Sequence, residues 1–570
     1  MSDGLEVVES RVEAAAQEGA GKRRILATAG IIAAGQLLSS VLGFVRITIL
    51  NIIFYGDASG AFVTALRPIQ QVSDLLVGGS VSGALIPTFV DHSAPEQRRD
   101  LSRIYSTVVN LVLLLMALAV VLLFFITPAL LPFETLKFSP AAKELTVLLV
   151  RIGALALFGL GLYATTSALL YALKRPALPA FATGLQHIGV IAFGVAGVLV
   201  AARQLNVPIE LVLRPGAATP AVEAARIQGA KALAVGFAAG ALGEFLLMAP
   251  GLRRAALVWR PVLDLRSPAI RQILRLYAPI AAGLVISVLY QNLDVALIGR
   301  TPGGAAENAT ALQSGTVLTQ FPVGLVAAAL SFAVLPPLTA AANRADTEDF
   351  KRTLRLGIRL GLLLMVPAAV GLLVLRYPIV ELLFQHGSCG ADCTHRNALA
   401  VQNYAYELPF IALDQLLIAA FYARKNTLTP VIIGVVSIFF YAAVALPFGG
   451  SIGMPALAFA DTAKNTSHAL ILFALLTLAI GNLGMRDLLG GTGRIVLAAL
   501  AMAVVAGLAV TLLPAHVAAF SLDHTSGQAL TLLVAGGVSA LVYFTLVALL
   551  GVEELRLVGG IVRARLGGRR

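Results

Sequence analysis

Fourteen long apolar segments run through this chain, and the positive charge between them alternates by side. A helix needs about 20 apolar residues to cross the roughly 30 Å hydrocarbon core of a bilayer. The segments are 25–54, 60–90, 102–128, 142–173, 178–202, 228–250, 273–299, 308–340, 354–375, 397–423, 428–448, 452–482, 493–513 and 527–550. This pattern predicts an all-α polytopic membrane protein with fourteen transmembrane helices.

Composition agrees. The 570 residues are 58% hydrophobic and 13% charged, where a soluble chain of this length would divide into several domains carrying far more charge. A net charge of +12 would suit nucleic acid, but its placement argues otherwise. With the N-terminus inside and residues near segment ends assigned to the adjoining side, 29 of the 42 Lys and Arg fall on the inner side, 9 on the outer side and 4 deeper within spans. That bias is the positive-inside rule, and anionic headgroups are its counter-charge. Both termini are therefore expected in the cytoplasm, with residues 1–24 a polar tail and no cleavable signal ahead of Lys22. Loops this short leave no room for a soluble catalytic domain, so no enzyme activity, cofactor or nucleic-acid partner is expected.

The only two cysteines, Cys389 and Cys393, lie in an outer loop, His386-Gly-Ser-Cys-Gly-Ala-Asp-Cys-Thr-His395. An oxidising compartment favours a disulfide between them. His386 and His395 would complete a zinc tetrad as an alternative, though the spacing is no standard signature. Two free thiols are the third reading.

The chain repeats itself in tandem. Tyr171-Ala-Leu-Lys-Arg-Pro-Ala-Leu-Pro179 ends the fourth segment, and Tyr422-Ala-Arg-Lys-Asn-Thr-Leu-Thr-Pro430 ends the tenth, 251 residues later. Gly83-Ala-Leu-Ile-Pro87 and Phe332-Ala-Val-Leu-Pro336 match at an offset of 249. Six segments separate the copies, and an even number preserves orientation. Two six-helix lobes in parallel pseudo-two-fold repeat follow, 25–250 and 251–482, with two further helices in 483–570. Transporters built this way hold substrate between their halves.

Charge inside a bilayer is costly and by default functional. Arg46 stands 11 residues before the turn at Asp57, and Arg67 stands 10 after it. At 1.5 Å per residue both lie about 15 Å from that turn, near the midplane. Guanidinium forks grip phosphate oxygens in bidentate fashion, so the pair suits a phosphate or pyrophosphate group. The bland alternative is a structural pair held by helix-end carbonyls or by Asp74. Asp294 is expected as a counter-charge to the arginines or as a cation site. Asp461 and Lys464, at i and i+3, are expected to neutralise each other. Asp414 lies in the tenth segment, while Arg151 and Glu244 are close enough to segment ends to reach toward water. Gly78-Gly79, Pro322, Gly324 and Pro336-Pro337 mark places where helices can bend.

These residues resemble the MurJ/MviN family. Val41-Leu-Gly-Phe-Val-Arg46 and Gly79-Ser-Val-Ser-Gly-Ala-Leu-Ile-Pro87 are similar to its opening signatures. Gln320-Phe-Pro-Val-Gly324 with Leu335-Pro-Pro-Leu338 is similar to its eighth-span signature. Pro378-Ile-Val-Glu-Leu-Leu-Phe384 with Gly387, and Ala420-Phe-Tyr-Ala-Arg-Lys425 through Thr429-Pro430, follow in order. The resemblance implies a member of the multidrug/oligosaccharidyl-lipid/polysaccharide exporter superfamily that flips lipid II, an undecaprenyl-pyrophosphate-linked precursor, across a bacterial plasma membrane. It implies a tail groove on the last two helices and headgroup binding by Arg46 and Arg67. Some family charges are replaced: Ser40, Ser73 and Val317 stand where arginines are expected, and Ile47, Gly60 and Gly78 where acids are.

The sequence thus predicts a flippase for a lipid-linked cell-wall or glycan precursor, acting as a monomer among membrane lipids by alternating access. Arg46 and Arg67, with Asp74 and Asp294, form its candidate substrate site. The rivals are a flippase for another lipid-linked polysaccharide, a drug or cation antiporter using Asp294 or Asp74, and a non-transporting envelope scaffold.

Overall fold

The computed structural model describes residues 30–555, apart from 33, 79–83, 218, 256, 522–523 and 553. The expected tail 1–24, the basic runs Lys22-Arg23-Arg24 and Arg569-Arg570, Gly79 and most of the signature at 79–87 lie outside them. No strand occurs among the described residues.

Helix α1 (Gly30–Phe54) turns at Gly56 into α2 (Asp57–Ser73), which widens into a π turn at Asp74–Gly78. Then come α3 (Ile86–Asp91), α4 (Arg98–Glu134), α5 (Pro140–Gly153) and α6 (Ala156–Ala172). Helices α7 (Ala177–Ala182), α8 (Gly184–Gln204), α9 (Ile209–Val212) and α10 (Pro220–Arg254) complete the first half. The second half opens with α11 (Pro268–Ile298), α12 (Ala305–Ala333), α13 (Leu335–Asn343) and α14 (Thr347–Phe384). It continues through α15 (Ala391–Ala405), α16 (Leu408–Ala423), α17 (Leu428–Phe448) and α18 (Met454–Ile480). The last two helices are α19 (Met485–His516) and α20 (Thr525–Leu549).

Starts follow capping chemistry. Ser139 accepts from the Ala142 N–H at 3.0 Å with Pro140 in the first turn of α5, and Asp346 accepts from the Asp349 N–H at 3.0 Å to open α14.

Nine helices among the described residues are long and apolar enough to cross a membrane, and two bent pairs raise the number to eleven. That count covers the described residues alone and does not decide the expected fourteen. The other three segments, 60–90, 273–299 and 308–340, correspond to α2 with α3, α11, and α12 with α13, each including residues outside the count. Helix α2 passes into its π turn, α12 gives way to α13 at Val334, and α11 carries Arg271, Arg275, Asn292 and Asp294.

The tandem repeat has a physical counterpart. α5 and α6 meet at a 42° bend, α15 and α16 at a 43° bend, and these are the fourth and tenth expected spans. α6 ends with Lys174 at φ 57° and α16 with Lys425 at φ 61°. The Arg175 N–H reaches back to Leu170 O at 2.8 Å, and the Asn426 N–H to Phe421 O at 3.0 Å. Both are left-handed caps that satisfy the orphan carbonyls of a helix end, built with lysine where glycine is usual.

One apolar core joins most of the first-half helices with the start of α11, including Phe54, Phe62, Leu149 and Ile270, and takes in Leu318 of α12, Val380 and Phe384 of α14 and Val401 of α15. A second, around Leu354, Leu416 and Leu472, holds α13, α14, α16 and α18 together. A third gathers the end of α11 with α12, α15, α17 and α18. α19 and α20 pack on α14 through Leu363, Ile495, Met502 and Tyr543. Helix α11 therefore starts in the first core and finishes in the third.

The halves meet closely where α1 turns into α2. Asn51 donates to Ser314 Oγ and Thr310 to Ser59 Oγ, each at 2.9 Å. A Cβ on Gly60 would sit 2.3 Å from Ala306 O, so no side chain fits there. The acid expected at this position in the family is sterically excluded. Gly387, at φ +60°, presses on Ile52 O, while Ser388 donates its N–H to the same oxygen at 2.6 Å.

Candidate functional site

A polar network spans α2, α11, α17 and α18. Arg67 Nη1 donates to Asp294 Oδ2 at 2.8 Å, and Tyr441 OH donates to Oδ1 of the same carboxylate at 2.6 Å. Tyr290 packs edge-on against Tyr441, with ring centroids 5.0 Å apart, and donates to Asp461 Oδ1 at 2.8 Å. Lys464 Nζ lies 2.5 Å from that oxygen and 4.2 Å from the Tyr290 ring centroid. Beside Arg67, Asn292 donates to Gln71 Oε1 at 3.1 Å. Two cations and two anions thus balance, with the charged side chains only 19–27% exposed. In a low-dielectric interior such mutual pairing is what makes ionised groups tolerable.

The sequence-predicted residues separate. Arg67 joins Asp294, which acts as its counter-charge, and does not pair with Asp74. Arg46 is buried on α1, and its Nε has no hydrogen-bond partner among the described residues. Gly43, one turn earlier, faces His187 on α8, where a Cβ would lie 3.4 Å from the ring. His187 Nδ1 is likewise buried without a partner. Asp74 opens the π turn beside α11 and makes no ion pair among the described residues. Arg46 is therefore a buried cation with donor capacity to spare, while Arg67 is already engaged. The spare donors of Arg46 suit an anionic oxygen, whereas Arg67 takes one only by sharing or displacing Asp294.

Asp461 and Lys464 pair as their spacing implies, with Tyr290 added. Arg151 sits 4.4 Å over the Phe124 ring. Glu244 does not reach water: it is 3% exposed, because α10 continues to Arg254. Asp414 has a partner that sequence reasoning missed, His468 on α18, at 2.6 Å. Tyr290, Tyr441 and Glu407, which accepts from Asn465 at 2.7 Å, were also missed. The available signal was their position inside apolar segments.

Cys389 and Cys393 are joined as a disulfide, buried beneath α1. His395 Nδ1 is 2.8 Å from Tyr377 OH and His386 Nε2 is 3.4 Å from Thr525 Oγ1, so the alternative zinc tetrad is not assembled. Among the described residues no group of three or more His, Cys, Asp or Glu converges on a metal site.

The fold is shared with solved transporters. A lipid II flippase MurJ in an inward closed conformation superposes with a TM-score of 0.70 at 19% identity, covering 91% of this chain and 98% of that one. A multidrug resistance MATE family transporter of the MOP superfamily, in an inward-facing conformation, gives 0.60 at 15% identity over 79% and 95%. Fold and site define a multi-pass α-helical membrane protein that shares the fold of these transporters and has a charged interior. Residues 49–525 match the sequence model of the family described as lipid II flippase MurJ, and the chain belongs to that family. A probable lipid II flippase MurJ of Bdellovibrio bacteriovorus is 25% identical over 538 residues, 94% of this chain and 96% of that protein. The lipid II flippase MurJ of Burkholderia cenocepacia is 27% identical over 412 residues, 70% and 73% of the two chains.

Proposed function

We propose that this chain flips a lipid II-like, polyprenyl-pyrophosphate-linked peptidoglycan precursor from the inner to the outer leaflet of a bacterial plasma membrane. One observation carries the reading: the family match at 49–525 runs through every helix of the polar network. Arg46 lies just before the match, and its unsatisfied guanidinium supports a role in holding the pyrophosphate. Arg67 is held ready by Asp294 and passes to the substrate as the headgroup enters.

Residues 25–250 and 251–482 are the two moving lobes, and 483–570 carries the tail-binding pair α19 and α20. Both termini are cytoplasmic, and the protein works as a monomer. The work is transport: no bond is made or broken. Ser40, Ser73 and Val317, standing where family arginines are expected, favour a second reading in which the cargo is another lipid-linked glycan with a less anionic headgroup.

Rescue tests the reading. The chain is expressed in a bacterium depleted of its own lipid II flippase, with membrane insertion checked. Survival is expected, and is lost with Arg46→Ala. Lysis despite correct insertion in several hosts moves the assignment to the second reading.

A further inference from the structure

Asp414 on α16 and His468 on α18 stand outside the network described above. His468 Nδ1 lies 2.6 Å from Asp414 Oδ1, and Nε2 lies 3.1 Å from the Pro430 carbonyl at the start of α17. The two side chains are 12% and 21% exposed, shielded yet within reach of water. A carbonyl oxygen only accepts, so Nε2 must carry a hydrogen. If the ring is otherwise neutral, Nδ1 presents a lone pair to the carboxylate. Both short contacts then hold only if Asp414 is protonated and donates. If the ring is doubly protonated, Asp414 is the ionised acceptor. Either way the group contains one proton more than a neutral imidazole beside a carboxylate.

From this geometry we infer that Asp414, His468 and the Pro430 carbonyl form a proton-binding site that ties α16, α17 and α18 together. Proton loss leaves a lone pair facing an acceptor oxygen at one of the two contacts. Repulsion there favours separation of α17 from α18 or of α16 from α18. Lys464, one turn earlier on α18, faces His468 as a second cation while paired with Asp461. Glu407, just before α16, is bonded to Asn465, and α15 and α11 contribute Tyr404, Tyr290 and Asp294. On α14, which also packs on α16, Arg359 is paired with Asp487 and Glu554. The only ionisable side chain of α17, Tyr441, is committed to Asp294. In the flippase reading, on which this further step rests, the site couples proton movement to the motion of the second half.

Two measurements test it. The full chain, labelled with 15N-histidine and 13C-aspartate in lipid nanodiscs, is observed one pH unit above the ordinary imidazole value of about 6.5. The expected spectrum shows one ring with both nitrogens protonated, or a neutral ring beside a protonated carboxyl, and the signal disappears in His468→Gln. A neutral ring beside an ionised Asp414 overturns the site. Asp414→Asn, whose amide donates to Nδ1, is expected to turn the ring neutral; a ring still doubly protonated there also overturns it. In proteoliposomes containing lipid II, an imposed pH gradient is expected to change the wild-type flipping rate several-fold and to leave the His468→Gln rate unchanged. A wild-type rate indifferent to the gradient overturns the coupling. Absence of any wild-type flipping tells against the flippase reading, while the spectrum still decides the proton site.

Discussion

Arg67 on α2 and Asp294 on α11 meet at 2.8 Å, joining helices that belong to different halves of the chain. The pair fixes the charge state of the interior and ties together two elements that a rocking transporter must move.

Removing one member leaves the other uncompensated. Arg67→Ala is expected to cost on the order of 3 kcal/mol, the cost of breaking a buried pair. Asp294→Asn in the same chain should recover much of that, because the leftover charge is gone and Tyr441 can still donate to the amide oxygen. Thermal unfolding of the purified single and double variants checks this. Additive losses would contradict it. Flippase rescue should stay lost in the double variant.

Lys464 and Asp461 should behave likewise, independently of the first pair. Lys464→Met alone strands Asp461 beside Tyr290 and should lower the melting temperature clearly. The double variant Lys464→Met with Asp461→Asn should melt close to wild type, as measured by a fluorescence melt in detergent.

Gly60 is fixed by sterics. Gly60→Ala places a Cβ 2.3 Å from Ala306 O, and overpacking of this kind costs about 3 kcal/mol. Low yield of folded protein is expected on size-exclusion chromatography. Full yield would mean that α2 and α12 do not cross this closely.

The Cys389–Cys393 disulfide closes a very short loop, so loop entropy gives it only about 2 kcal/mol. The larger expected effect of Cys389→Ser with Cys393→Ser is local. Ser388 and Asn397, which grip Asn51 and Ile52, should lose hydrogen-exchange protection. Mass spectrometry of the unreduced chain should find the two cysteines in one linked peptide.

Much of this was legible in the sequence, for physical reasons. The lysines at 174 and 425 fall in the stretches that revealed the repeat, and a cap is a local structure written in neighbouring residues. The i, i+3 spacing of Asp461 and Lys464 was enough to pair them. Asp294 was legible as a counter-charge to the arginines, but most tertiary partners were not. That Arg67 has a carboxylate while Arg46 has none among the described residues depends on how α11 and α8 lie against α2 and α1. The partner of Asp414 lies 54 residues away, and Tyr441 reaches Asp294 across 147.

The most direct test is transbilayer movement itself. Fluorescent lipid II is placed in the inner leaflet of proteoliposomes holding the purified chain, and its arrival outside is scored with an impermeant quencher. The account predicts protein-dependent arrival that falls at least about tenfold with Arg46→Ala, about 1.4 kcal/mol of lost stabilisation. Arrival no faster than in protein-free liposomes, with the chain folded and inserted, would contradict it.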